Sequence, residues 1–307
     1  MRISFYFLTL GMEATMHPRH IALAILVVAI WGFNFVVIKV GLKEIPPILL
    51  CALRFFLSAF PAVFFIKRPA VPFRSVMAFG LVMFASQFAL LFSGMYAGTT
   101  AGMASLVLQV HVFFTVALAV VFLAEQPSVW QIIGALTAFS GIGLVAAHTG
   151  GDISALGLIL IVAAAASWGI GNLIAKKLGK VDMLALVVWG SLVAWPPLLL
   201  LSYLLEQDSW SLEGMAHLSW PTIGAIGYIT YLSTLLGFAV WSWLLSHYPA
   251  ATVAPFTLLV PVFGFTSSAL ALGEPLYPWK LAAAVLIIAG LCINLAGARI
   301  AMRLRPA

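Results

Sequence analysis

Acidic residues are the scarcest chemistry in this chain: nine Asp and Glu stand among 307 residues, and Lys and Arg together add 15. A soluble globular domain carries about a quarter of its residues as charges, which form its shell against water. Here the charged fraction is 8% and the hydrophobic fraction 64%. No such shell can be built, so lipid must be the solvent around most of the chain. Cysteine is equally rare, and Cys51 and Cys292 both fall inside apolar runs. A disulfide framework and a thiolate metal site are therefore not expected, and both residues read as small buried hydrophobes. The chain also lacks a His-Glu-x-x-His element, a clustered acid–base set and a P-loop, which argues against a membrane-embedded enzyme and against ATP-driven transport. The net charge of +6 arises from basic residues at the ends of apolar runs, with no basic patch interleaved with aromatics, so nucleic acid is not an expected partner. No cofactor is implied.

What the chain has instead is a series of long apolar runs. Crossing the hydrocarbon core takes roughly 20 apolar residues in a helix, and barrel strands would alternate in polarity where these runs do not. The runs predict an all-α polytopic membrane protein with transmembrane helices at 20–39, 47–66, 75–95, 100–123, 129–147, 156–175, 183–205, 220–245, 250–272 and 279–298. Residues 1–19 and 299–307 are expected as tails. Ile3 to Leu10 is too short to span and lacks a cleavage site, so no signal peptide is expected. Residues 1–15 read either as part of the tail or as an extension upstream of a start at Met16.

Orientation follows from the basic residues. With the N-terminus inside, Arg2, Arg19, Lys67, Arg68, Arg74, Lys176, Lys177, Lys180, Arg299, Arg303 and Arg305 lie on the cytoplasmic side, and only Lys39, Lys43 and Lys280 lie outside. That bias predicts both termini in the cytoplasm.

The chain also repeats itself. Trp31-Gly32 followed by Lys39 recurs as Trp168-Gly169 followed by Lys176; Glu125 and Trp130 recur as Glu274 and Trp279; Gly141 matches Gly290. The stretch from Ala101 to Val145 reads like Ala250 to Asn294, with Val112 standing where the second half has Pro261. Two halves, 20–147 and 156–298, each contain five spans. An odd number forces equivalent elements to enter the membrane from opposite sides, so the halves form an inverted repeat. Secondary transporters are often built this way, with the substrate bound near midplane between the repeats.

The Trp-Gly opening with its following Lys, and the acidic residue ahead of an x4-Trp element, resemble the EamA-type members of the drug/metabolite transporter superfamily. The likeness covers nearly the whole chain from Met16. Within that superfamily the runs Trp31 to Leu42, Leu53 to Phe55, Ala104 to Gln109 and Val253 to Pro261 are most similar to a branch that exports O-acetylserine and cysteine. The resemblance implies the ten-helix drug/metabolite transporter fold, an inner-membrane location and outward movement of small amino-acid metabolites. Aromatic amino acids are the alternative cargo, and a passive channel is a further alternative.

Polar groups inside a bilayer are costly and face a cavity or another helix. None of the acidic residues lies deep in a span, so a carboxylate relay is not expected. Arg54 can grip the carboxylate of a zwitterionic cargo with two parallel hydrogen bonds, or can serve structurally. Asn34, Gln87 and Gln109 are amides that can donate to a carboxylate and accept from an ammonium, with Ser105 one turn from Gln109. Trp31 and Asn34 on the first span are repeated by Trp168 and Asn172 on the sixth, and Tyr228 and Tyr231 add aromatic surface on the eighth. These are the candidate substrate-binding residues, with interhelical packing as the alternative role. His111 is the candidate for proton coupling. Pro255 and Pro261 are candidate hinges. Gly134, Ala138, Gly141, Gly290 and Gly297 suggest either close helix packing or the face of a homodimer.

Overall fold

A computed structural model describes residues 16–207, 210 and 218–303, with the side chains of 250–251 and 298–303 excepted. The tail at 1–15, Asp208, Glu213 and Arg305 lie outside the described residues. Ten helices are long and apolar enough to cross a membrane: α1 (Pro18–Gly41), α2 (Pro47–Phe64), α3 (Phe73–Tyr96), α4 (Ala101–Leu123), α5 (Val129–Ala147), α6 (Ala155–Leu178), α7 (Met183–Glu206), α8 (Trp220–His247), α9 (Ala254–Leu272) and α10 (Pro278–Arg303). No strand occurs among the described residues. α9 is preceded by a single turn, Ala250–Val253.

The helix boundaries are set by local chemistry. Proline, which has no N–H to lose, opens α1 and α2 at Pro18 and Pro47. Ser128 and Gln131 form a reciprocal capping box at the start of α5. Ser154, Asp182 and Ser219 accept from the first-turn amides of α6, α7 and α8. α4 and α9 end on left-handed residues at equivalent positions, Ala124 (φ 54°) and Gly273 (φ 66°).

Packing follows an exchange of halves. α1 lies on α9, and its counterpart α6 lies on α4; α1 also lies on α8, as α6 does on α3; α2 meets α7, and α5 meets α10. Swapping each helix for the one five places along leaves this pattern unchanged, as a pseudo-two-fold axis requires. The repeated Trp-Gly pair makes the crossings possible. A Cβ on Gly32 would sit 2.5 Å from Phe263 Cβ on α9, and one on Gly169 would sit 2.8 Å from Phe114 Cβ on α4. The glycine-rich faces of α5 and α10 close on each other: a Cβ on Gly134 would stand 2.6 Å from the Gly290 carbonyl, and Gly141 faces Ala283 and Ile287. That seam lies within one chain.

Two departures from α geometry also recur. α3 is π-helical over Gly80–Ser86 and α8 over Tyr228–Leu236. α4 tightens to a 3-10 turn at Leu108–Val110 and α9 at Ala254–Leu258. Pro255 sits in that second tight turn and Pro261 in the first turn of the α-helix that follows, Leu259–Leu272. α4 makes the same change without a proline.

Candidate functional site

The predicted residues fall into two groups on either side of the crossing of α1, α4, α6 and α9. The first joins α1, α2, α3 and α8. Arg54 on α2 is only 2% exposed, so it does not reach out to the interface. Its Nε donates to Thr234 Oγ1 at 2.9 Å, and its guanidinium lies 4.1 Å from the centre of the Phe88 ring on α3. Trp31 donates from Nε1 to the Ser233 carbonyl at 3.0 Å and packs against Phe238 and Trp241. Gly237 makes room for that indole: a Cβ there would stand 2.7 Å from Trp31 Nε1. Tyr228 donates to the Ile30 carbonyl at 3.0 Å. Tyr231, by contrast, is 47% exposed.

The second group joins α4 and α6. The His111 and Trp168 rings lie 4.1 Å apart. Asn172 Nδ2 donates to Thr115 Oγ1 at 3.1 Å, and that hydroxyl donates to the His111 carbonyl. Gln109 Nε2 reaches across to the Thr257 carbonyl at 3.4 Å, tying α4 to α9. Ser105 Oγ donates to the Gly102 carbonyl at 2.7 Å and fills the space that Gly264 leaves open.

Several buried polar atoms have no partner among the described residues: Asn34 Oδ1, both amide atoms of Gln87, Arg54 Nη1 and His111 Nδ1. Each such atom forfeits about 1–3 kcal/mol, so an unusual concentration of them marks surface fitted to something polar. Arg54 is also without a carboxylate, since the ion pairs among the described residues are Lys176–Glu125 and Lys280–Asp152. The well-formed grooves lie elsewhere. One of about 260 Å³ runs along Phe33, Val36, Pro221 and Tyr228, and one of about 370 Å³ along Phe113, Val120, Ile132 and Leu136. Both are lined almost wholly by apolar side chains.

The two ends of the bundle differ. At the far end, where α1 finishes, the Glu274 carboxylate accepts from Ala101 N at 2.7 Å and Gly102 N at 3.0 Å, closing α9 onto the start of α4. Lys39 Nζ donates to the Met95 and Thr99 carbonyls beside it, at 2.7 and 3.2 Å. Glu206 caps the start of α2 through Ile48 N and Leu49 N, and buried Lys280 pairs with Asp152 at 2.7 Å. At the near end Glu125, the repeat partner of Glu274, pairs at 2.6 Å with Lys176, and both side chains are about half exposed, 48% and 54%. His20 meets the Tyr248 hydroxyl there at 2.6 Å. Sequence reasoning had placed Glu206 and Lys39 outside the bundle without a role and had not picked out Phe88, Thr234 or Glu274 as functional; for Glu274, its recurrence as Glu125 was the available signal.

The model of the EamA-like transporter family matches residues 19–147 and 155–296. A "Probable amino-acid metabolite efflux pump" of Salmonella typhimurium is 44% identical over 284 residues, 91% of this chain and 95% of that one. A protein of the same name from Escherichia coli is 40% identical over 283 residues, 90% and 95% of the two chains. An uncharacterized transporter of Bacillus subtilis is 28% identical over 279 residues, 87% and 94% of the chains. A solved crystal structure with 18% identity matches the fold with a TM-score of 0.63, covering 94% of this chain and 99% of the other.

Proposed function

The chain belongs to the EamA-like transporter family, and from that membership we propose that it is a secondary transporter exporting small amino-acid metabolites, of the O-acetylserine and cysteine kind, by alternating access. It is a carrier and not an enzyme. It resides in the inner membrane of a bacterium, with both termini cytoplasmic, as the basic residues at its near end favour. The relatives named as amino-acid metabolite efflux pumps support the cargo class.

The observation that carries the mechanism is the inequality of the two ends. Glu274 holds the far end of α4 shut, while its repeat partner Glu125 rests on Lys176 at the surface. Cargo enters from the cytoplasm in this state. Opening outward releases Glu274 from the α4 amides, and the pseudo-two-fold axis gives Glu125 the matching task at the start of α9. The core groups suit a zwitterion: a guanidinium for the carboxylate, and the neutral amides of Asn34 and Gln87 for the ammonium. Trp168 with Asn172, and Gln109 with Ser105, complete the lining on the other half. His111 is the group available for proton exchange, and His111→Gln separates the two energy sources: export that persists but ignores the proton gradient means transport down the cargo gradient. Pro255 and Pro261 mark where α9 bends between states.

Inverted vesicles containing the overproduced protein test this directly. They should accumulate O-acetylserine or cysteine in saturable fashion. Accumulation of aromatic amino acids instead would support a second reading, favoured by the wall of Trp31, Phe88, Phe238 and Trp241. Non-saturable leakage of all of them would mean a channel. Reporter fusions at the C-terminus and in the 207–219 loop should report opposite compartments; agreement between them would overturn the orientation.

A further inference from the structure

Arg54 has one neutral partner and no anionic one, and the way that partner is arranged limits what the guanidinium can bind. Thr234 lies in the π-helical stretch of α8. Its hydroxyl donates to the Ile229 carbonyl, five residues back, at 2.7 Å. With the proton committed there, the oxygen offers only lone pairs, so it can only accept from Arg54 Nε, which it does at 2.9 Å. The direction of that bond is fixed by the backbone of α8. The Phe88 ring at 4.1 Å and the Phe55 ring at 5.5 Å flank the guanidinium. One corner of a planar five-donor group is thus tied, and its faces are covered.

What remains is the Nη1–Nη2 edge. Nη1 is buried with no partner, and neither Nη nitrogen has a hydrogen bond among the described residues. Two parallel N–H donors on one edge match the two oxygens of a carboxylate. An amide or ester offers one strong acceptor and no charge. Taking Arg54 as the cargo handle proposed above, we infer that Thr234 is a positioning residue: it tethers Nε, aims the open edge, and so restricts the cargo to molecules with a free carboxylate. Thr234 itself does not touch the cargo. Leaving a buried guanidinium without its counter-ion is costly, so the free acid gains by supplying the missing charge as well as by fitting the edge.

The test uses purified protein in liposomes and a panel of O-acetylserine, cysteine and phenylalanine, each beside its carboxamide. The free acid that is carried should not be displaced by its amide. Thr234→Val keeps the volume and removes the acceptor; KM should rise about tenfold with kcat within twofold. Thr234→Ser should restore the wild-type KM. A silent Thr234→Val, a Ser variant as impaired as the Val variant, a fall confined to kcat, or an amide that competes as well as its acid would each overturn the inference. If Thr234→Val fails to give a monodisperse protein, Phe88→Leu removes the covering ring and should raise KM with the same selectivity for the acid. Arg54→Gln separates the levels. Loss of saturable transport in that variant with a silent Thr234→Val rejects Thr234 alone. Unchanged transport in Arg54→Gln, or no free acid carried by the wild type, rejects the handle on which this inference rests.

Discussion

The first stretch of α4 at the far end and its repeat partner at the start of α9 at the near end are made from matching sequence, yet Ala101 to Val110 are all buried while Ala254 to Leu259 are all partly exposed. The same contrast appears elsewhere. The far half of α3 buries Leu91, Phe92 and Met95, whereas residues 238–243 in the matching half of α8 are all partly or fully exposed. α1 is more buried from Gly32 to Gly41 than α6 is from Gly169 to Leu178. Contact with lipid would expose related positions equally in the two halves. The difference therefore reports the state of the molecule: one end is shut and the other is not. Repeat symmetry makes each half the control for the other.

Breaking the shut end should have the largest effect. Glu274→Ala removes two charge-assisted hydrogen bonds to the α4 amides, together worth about 3 kcal/mol or more, which corresponds to a shift of about 100-fold between states. A cysteine placed at Val107 in a background lacking Cys51 and Cys292 should then react with a membrane-impermeant thiol reagent applied at the far side, and export should collapse. Glu274→Gln should fall between. Next come the crossing glycines. Gly32→Ala and Gly169→Ala push a methyl group into Phe263 and Phe114, at a cost of about 1–3 kcal/mol each. Melting in detergent should show Gly32→Ala as the worse, because its Cβ would also crowd the Val260 carbonyl at 2.8 Å. Unequal costs in the opposite order would mean that the shut end is not the tighter one.

Smaller effects sharpen the comparison. Ala124 holds the left-handed position that Gly273 holds in the other half. Ala124→Gly should stabilise by up to about 1 kcal/mol, whereas Gly273→Ala should destabilise by about as much. Glu125→Gln breaks an exposed ion pair worth about 0–1 kcal/mol, so the melting temperature should barely move. If Glu125→Gln opened the far end as Glu274→Ala does, the two carboxylates would not hold separate ends.

Much of this was legible in the sequence, and the gaps have physical causes. Hydropathy located the ten spans because a lipid solvent demands unbroken apolar runs. The Trp-Gly pairs revealed the inverted repeat, and the crossings explain why glycine is needed there. The π and 3-10 segments left no such trace, since their residues are as apolar as those of ordinary helix. That omission bears on Tyr231. Tyr228 and Tyr231 share a face when counted at α spacing, but both lie in a wider π turn, and Tyr231 is carried to the exposed side. Arg54 stood out as a charge in lipid, whereas its partner Thr234 lies 180 positions away and is one hydroxyl among many. Glu274 looked like any acid at the end of a span, because nothing local shows that the helix it caps belongs to the other half.

The paired π segments also carry a date. A π turn holds one residue more than the α turn it replaces, so it marks the place where a helix absorbed an insertion. Such an insertion swings every later side chain in the span through about 100°, a change that packing on both sides must accommodate. α3 and α8 carry theirs at the same point, just before Gln87 and Gly237. Two independent insertions at one site is the less economical history. The extra residue belonged to the ancestral five-helix gene before it was copied, and it has been inherited by both daughters in opposite orientations across the bilayer.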